Sequence, residues 1–302
     1  MTERIRVGTR RSPLARAQTD WVVARFARAA SGLRFDPVLV DTSGDRDRSI
    51  GSSPDFTDAI DRALIRGEVD LAVHSAKDLP VELDPGLRLG AVPLRADPRD
   101  CLVVAPPHRT KGLPRYARVG SSSLRRRAQL LRWRPDLEVI PVRGNVDTRI
   151  GLLGSGAVDA VILATAGVAR LGRAKEIARI LPRTAFVPSP AQGALAVVVR
   201  AGDSTLDPHL RRINHPASHD CVTAERAFAA ALGSDCEVPL GALATARSRS
   251  IALVGEVLTL DGRTSLRLRR EGPASDSEGI GSRLGKSMAD RGALDLLSSS
   301  PR

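Results

Sequence analysis

DAIDRALIRGEVDLAVHSAKDLP, residues 58–80, changes its period half-way. Asp58–Arg66 reads as an amphipathic helix that stops near Gly67. Leu71–His74 is a short apolar run that fits a buried strand and leads straight into Ser75-Ala76-Lys77-Asp78-Leu79-Pro80. A helix followed by a buried strand is the repeating unit of an α/β layer.

The alternation extends in both directions. Upstream, Ile5–Gly8 is a strand candidate and a helix runs from Ser12 to about Ala30, with Trp21, Val22, Phe26 and Ala29 as its apolar face. Val38–Val40 is the next strand. After Asp97-Pro98 the pattern restarts, with strands at Leu102–Ala105, Arg118–Gly120, Glu138–Val142 and Ala160–Ala164, and helices at Leu124–Arg132 and Val146–Leu153. The apolar run Ala194–Arg200 is placed back in the first lobe. From His215 the character changes to a helix near Thr223–Leu232, three strands (Leu240–Thr245, Ser250–Leu258, Ser265–Arg269) and a helix about Gly279–Leu297. These periods predict a largely parallel α/β chain in three domains: residues 1–94 plus 194–212, residues 98–190, and a smaller α+β domain at 215–302.

Composition narrows the function classes. No run of 18 apolar residues marks a membrane helix, and MTERIRVGTRRS has no apolar signal segment, so the expected compartment is the cytoplasm. Three cysteines without a CxxC pair suit a reducing compartment and disfavour zinc, and the five histidines form no metal motif. The net charge is +12, and only four of the 46 basic residues are lysine. Arginine in such excess fits a carboxylate or phosphate ligand, which guanidinium grips bidentately, and it also fits a compositional bias toward Arg and Ala. Nucleic acid is disfavoured, because aromatics are 3% of the chain and no recognition signature is present.

Two turns echo each other. Val7-Gly8-Thr9-Arg10-Arg11-Ser12 and Val119-Gly120-Ser121-Ser122-Ser123 each place a strand, a glycine and hydroxyl residues before a helix. Free N–H groups at a helix start suit an anion, and Ser or Thr there is equally an ordinary N-cap. Two such turns with adjacent arginines favour a ligand cleft between two lobes. Three consecutive cations, Arg125–Arg127, repel one another, and an anion would relieve that repulsion. Arg143 and Arg149 flank a helix start that Asn145 is positioned to cap, Arg170 follows a fourth strand, and Lys77 and Asp78 sit at a strand end where catalytic groups gather. For each motif a solvated surface role competes with the ligand role. Cys236, in GSDCEVPLG, has no activating base in its motif. The residues alone lead to a basic cleft for a multiply anionic ligand.

VGTRRSPLA, AVHSAKDLP, GSSSLRRR, RGNVDTR, ATAGVARLG, PAQGALAV, TAERAF and GSDCEVPLG occur in the order and spacing of the porphobilinogen deaminase (hydroxymethylbilane synthase) family, which the chain resembles over all three domains. The resemblance implies two periplasmic-binding-protein-like (type II) lobes plus a smaller α+β domain. It implies a cytoplasmic monomer that joins four porphobilinogens into hydroxymethylbilane with release of ammonia. Cys236 then carries a covalent dipyrromethane cofactor, with no metal. Asp78 is the implied catalytic residue. Lys77, Asp78, Ser123, Arg125, Arg126 and Arg149 are implied to hold the cofactor, and Arg10, Ser12, Ser75, Ser122, Arg143, Arg149 and Arg170 the substrate carboxylates. Neither a membrane nor a nucleic acid is an implied partner. One segment departs from the family: across Gly44–Phe56 a Gly-rich lid ending Lys-Gly-Leu-Phe is shortened, and Ser53 replaces the lysine. That departure admits an alternative, a relative that binds tetrapyrrole-like polycarboxylates with little or no turnover.

Overall fold

The structure is a computed structural model that describes residues 3–29, 32–42, 57–108, 112–233 and 238–298. The chain separates into two compact units, residues 1–96 with 194–219, and residues 97–193 with 220–302.

The first unit is built on β1 (Glu3–Arg10), β2 (Leu33–Val40), β3 (Leu71–Ser75), β4 (Leu87–Ala91) and β10 (Leu195–Arg200), in the order β2-β1-β3-β10-β4. β1 is parallel to β2 and β3, whereas β10 is antiparallel to β3 and β4. The expected return of Ala194–Arg200 to this lobe is therefore observed, but the sheet is mixed rather than largely parallel. β2 is longer than expected and includes Pro37, which an edge strand tolerates because its outer side needs no donor. Helices α1 (Pro13–Ala29), α2 (Asp58–Ile65) and α6 (Asp207–Ile213) complete the unit. Val22 and Phe26 of α1 bury against Ile5, Val7, Leu71 and Val73 on one face of the sheet. A Cβ on Gly8 would stand only 3.1 Å from Ile60 of α2, so glycine there permits close helix–sheet approach.

The second unit repeats the plan with β5 (Asp100–Val104), β6 (Arg118–Gly120), β7 (Glu138–Ile140), β8 (Ala160–Ala164) and β9 (Ile177–Ile180), in the order β7-β6-β8-β5-β9. β6 is parallel to β7 and β8, and β5 is antiparallel to β8 and β9. Both sheets thus share a two-one-three-n-four strand order. Helices α3 (Leu124–Trp133), α4 (Val146–Gly154) and α5 (Thr165–Arg170) follow β6, β7 and β8.

The same unit carries a smaller α+β part, the antiparallel meander β11 (Leu240–Arg247), β12 (Ser250–Leu258) and β13 (Ser265–Pro273), with α7 (Pro216–Ala231), α8 (Ser277–Ala289) and α9 (Ala293–Ser298). The single helix expected over 279–297 is broken at Gly292, whose φ of 85° no helical residue adopts. Gly281 and Gly285 let α8 lie on α7, since a Cβ at Gly281 would meet the Ala224 carbonyl oxygen at 2.2 Å.

Candidate active site

In the first unit, the parallel register Val7↔Leu71 and Gly8↔Ala72 brings the carboxyl ends of β1 and β3 side by side. Continued three residues, that register sets Arg10 level with His74, and the Arg10 charge helps to hold the His74 imidazole neutral. The Arg10–Ser12 turn and the Ser75–Asp78 turn therefore share one sheet end, where open α/β sheets bind ligands. Ser12 Oγ accepts the Ala15 N–H at 3.3 Å, so Ser12 caps α1. Thr9 and Thr19 hydroxyls bond each other at 2.7 Å beneath the turn.

Ala76–Asp78 form one 3-10 turn off β3, pinned where the Ala76 N–H donates to the carbonyl of Ala194, the residue before β10. Ser75, Lys77 and Asp78 are half-buried. Among the described residues no hydrogen bond or ion pair engages the Asp78 carboxylate. A half-buried carboxylate left in this way is available to a ligand as proton donor, acceptor or counter-charge.

In the second unit, β6, β7 and β8 are parallel neighbours, and the expected anion turns follow their carboxyl ends. Ser121 N–H donates to the Ile140 carbonyl and Ser122 Oγ to the Val142 carbonyl, which joins the turns after β6 and β7. Ser123 caps α3 by accepting the Arg126 N–H, and Asn145 caps α4 by accepting the Thr148 N–H at 2.9 Å. Gly144 at φ 104° turns the chain into α4, and Arg149 Nε donates back to its carbonyl at 2.9 Å. Arg143 and Arg149 are half-buried at this end.

Arg125 and Arg126 are placed differently from what the charge run alone suggests. Both are buried, and the anion that relieves their repulsion is internal: Asp100 of β5. Arg126 grips Asp100 Oδ1 through Nε at 3.0 Å and Nη2 at 2.7 Å, and Arg125 Nη1 donates to Oδ2 at 2.7 Å. The two guanidiniums hold the Asp100 carboxyl well below the usual carboxylate range against the opposing effect of burial. Arg125 Nη1 also donates to Gln129 and to the Val187 carbonyl, while its Nε and Nη2 make no hydrogen bond within the described residues. From Gln129 the network reaches Glu256 of β12, itself held by Arg267. Asp100, Gln129, Gln192 and Glu256 escaped the sequence reading. The one signal for Asp100 was the unmet charge of Arg125–Arg127.

Arg170, at the end of α5, is the least compensated of these cations. It is half-buried and among the described residues donates only to the Gly193 carbonyl, at 2.8 Å, and burial pushes its guanidinium down to about 10. A carboxylate beside it would reverse that shift. Cys236 and the Gly44–Phe56 segment lie outside the described residues, as Ser53 does. Among the described residues no group of three or more His, Cys, Asp or Glu clusters as for a metal, and no helix is long and apolar enough to cross a membrane.

Each unit is an α/β lobe with hydroxyl- and arginine-bearing turns at its strand ends, and the first also holds a carboxylate that no described residue engages; such groups suit polyanionic organic ligands. Comparison with known proteins is consistent. The family model described as porphobilinogen deaminase, dipyromethane cofactor binding domain, matches residues 5–208, and that of the porphobilinogen deaminase C-terminal domain matches residues 219–290. A porphobilinogen deaminase of Roseiflexus castenholzii is 43% identical over 98% of this chain and 99% of its own length. One of Rubrobacter xylanophilus is 46% identical over 98% and 97%. Among solved structures, a nutrient binding protein of Burkholderia cenocepacia bound to methionine is similar at a TM-score of 0.42, with 16% identity, covering 69% of this chain and 89% of that one. The chain belongs to the porphobilinogen deaminase family.

The donor set fits the dipyrromethane of that family. A dipyrromethane made from two porphobilinogens carries four carboxylates, and the second unit offers an under-compensated Arg170, donors on Arg125 that no described residue engages and hydroxyls at the start of α3. Guanidinium and hydroxyl donors at helix N-termini are what several carboxylates require.

Proposed function

We propose that this chain is a porphobilinogen deaminase, a transferase that joins four porphobilinogens to hydroxymethylbilane, with loss of ammonia at each step, in tetrapyrrole biosynthesis. The observation that carries the reading is the Asp78 carboxylate: half-buried, engaged by none of the described residues and at a strand end, beside the Arg10 turn, in a chain that matches the family over nearly its whole length.

Cys236 is assigned to hold the dipyrromethane through a thioether, and that group when bound anchors the growing chain. Lys77, Asp78, Ser123, Arg125, Arg126 and Arg149 are assigned to the cofactor. Arg10, Ser12, Ser75, Ser122, Arg143, Arg149 and Arg170 are assigned to substrate carboxylates. Arg125 would act through Nε and Nη2, since Nη1 is engaged with Asp100. Asp78 gives a proton to the departing ammonia and then faces the developing cation on the pyrrole nitrogen, two tasks that one carboxylate performs. The division into domains at 1–94 plus 194–212, 98–190 and 215–302 belongs to this proposal. So do a monomeric state, a cytoplasmic location and the absence of membrane, nucleic-acid and metal partners. The relatives lend no support to the alternative of a binder with little turnover.

The test is intact-mass spectrometry with turnover assays on protein expressed in a haem-making host. Wild type carries a dipyrromethane adduct that Cys236→Ser loses. Asp78→Asn keeps its fold and loses about 10²–10⁴-fold in rate, the usual contribution of a positioned acid–base group. An unmodified wild-type chain, or an Asn variant at more than about a tenth of wild-type rate, refutes these assignments.

A further inference from the structure

Two motifs, PAQGALAV (190–197) and TAERAF (223–228), have no part in the assignments above, yet the first four residues of one meet the other in the second unit. Ala191 has a φ of 58°, a left-handed conformation in which a Cβ crowds the following carbonyl oxygen. It is buried, and so is Glu225 of α7. Glu225 Oε2 accepts the Ala191 N–H at 2.5 Å, and its Oε1 accepts the Ala244 N–H of β11 at 2.7 Å.

The next two residues lead to proposed carboxylate binders. Gln192 donates through Nε2 to the Pro98 carbonyl at 2.7 Å and to Asp100 Oδ1 at 3.0 Å, while its Oε1 accepts from Arg126 Nη2 at 3.3 Å. The Gly193 carbonyl accepts from Arg170. One strained peptide thus sets the heading of a side chain that orients Arg126 and of a carbonyl that orients Arg170.

We infer that Glu225 is a positioning residue: its buried carboxylate holds Ala191 in the left-handed conformation and thereby aims Gln192 at Asp100 and Arg126, and the Gly193 carbonyl at Arg170. A carboxylate is needed because two N–H donors approach its two oxygens. A glutamine would satisfy one and oppose the other with its own N–H₂. The inference rests on the proposed function only for its kinetic consequence.

The experiment compares wild type, Glu225→Gln, Ala191→Gly and the double variant by amide hydrogen exchange, steady-state kinetics with porphobilinogen, and intact mass. Glu225→Gln speeds exchange at residues 191–193. It also raises KM on the order of tenfold, the effect of one charge-assisted hydrogen bond, with kcat little changed. Glycine adopts a positive φ without a Cβ clash, so Ala191→Gly alone is near neutral and, in the double variant, restores both protection and KM toward wild type. Wild-type exchange in Glu225→Gln, or a double variant as impaired as the single, overturns the inference, because a carboxylate that only supports the core gains nothing from glycine at 191. If Glu225→Gln does not fold, Ala191→Val asks the same question from the backbone, and an unchanged KM in that variant overturns it. A wild-type chain without adduct or turnover refutes the proposed function instead, and the exchange data still decide the role of Glu225.

Discussion

His74 is a buried imidazole whose Nε2 has no hydrogen-bond partner among the described residues and lies 3.9 Å from an oxygen of Asp61. Burial, and then the Arg10 charge, push its pKa from 6.5 down to about 4. The fold therefore contains neutral histidine, while the unfolded chain takes up a proton below about pH 6.5. Above that value both states are neutral and His74 contributes nothing to pH dependence. As pH falls from 6.5 through 4 the unfolded state gains the proton alone and stability is lost, by on the order of 3 kcal/mol at the acid end. His74→Leu should flatten the fall in melting temperature between about pH 7 and pH 4. An unchanged slope would show that other groups carry the acid lability. At this scale the sequence was informative about identity and weak about state. AVHSAKDLP marked His74 as part of a buried strand and Asp78 as a strand-end carboxylate, but neither the neutral state of His74 nor the lack of a described partner on Asp78 has any local signature.

Among the elements, α3 shows how much a short motif conveys. GSSSLRRR is legible as a strand end, a cap and a helix start, and the Ser123 cap is found as such. What it does not convey is that two of its three arginines point inward, since Asp100 stands on a strand more than twenty residues earlier. Both guanidiniums depend on that one carboxylate, so Asp100→Asn leaves them buried and under-compensated. Breaking such a pair costs about 3–5 kcal/mol, against under about 1 kcal/mol for the exposed pair Arg62–Asp58. Chemical denaturation of Asp100→Asn beside Asp58→Asn checks this. Equal stabilities would mean that Asp100 is dispensable to the packing of α3 on β5.

For the whole molecule, the 34 carboxylates offset part of the 46 basic residues and leave a net charge of +12. Arg4, Arg6, Arg88, Arg134 and Arg173 pair with surface carboxylates, which accounts for some of the arginine without any ligand. The remaining excess should attract a dicarboxylate substrate at long range. We expect kcat/KM for porphobilinogen to fall as neutral salt rises through about 0.1 M, where the Debye length is about 10 Å. A flat salt profile would place all useful charge in direct contact with substrate.

The alternation of periods by itself determined the α/β class and the positions of most strands and helices, because those follow from local burial patterns and caps. The eight motifs determined the family, since residues that bind one ligand keep their types and spacing. Tertiary structure alone decided the antiparallel insertion of β10 and β5 and the partnership of Arg125 and Arg126 with Asp100. It alone revealed the strained Ala191 beneath Glu225. Each of these joins residues far apart in the chain, and which charge meets which in a buried site depends on how whole elements pack, which no local pattern records.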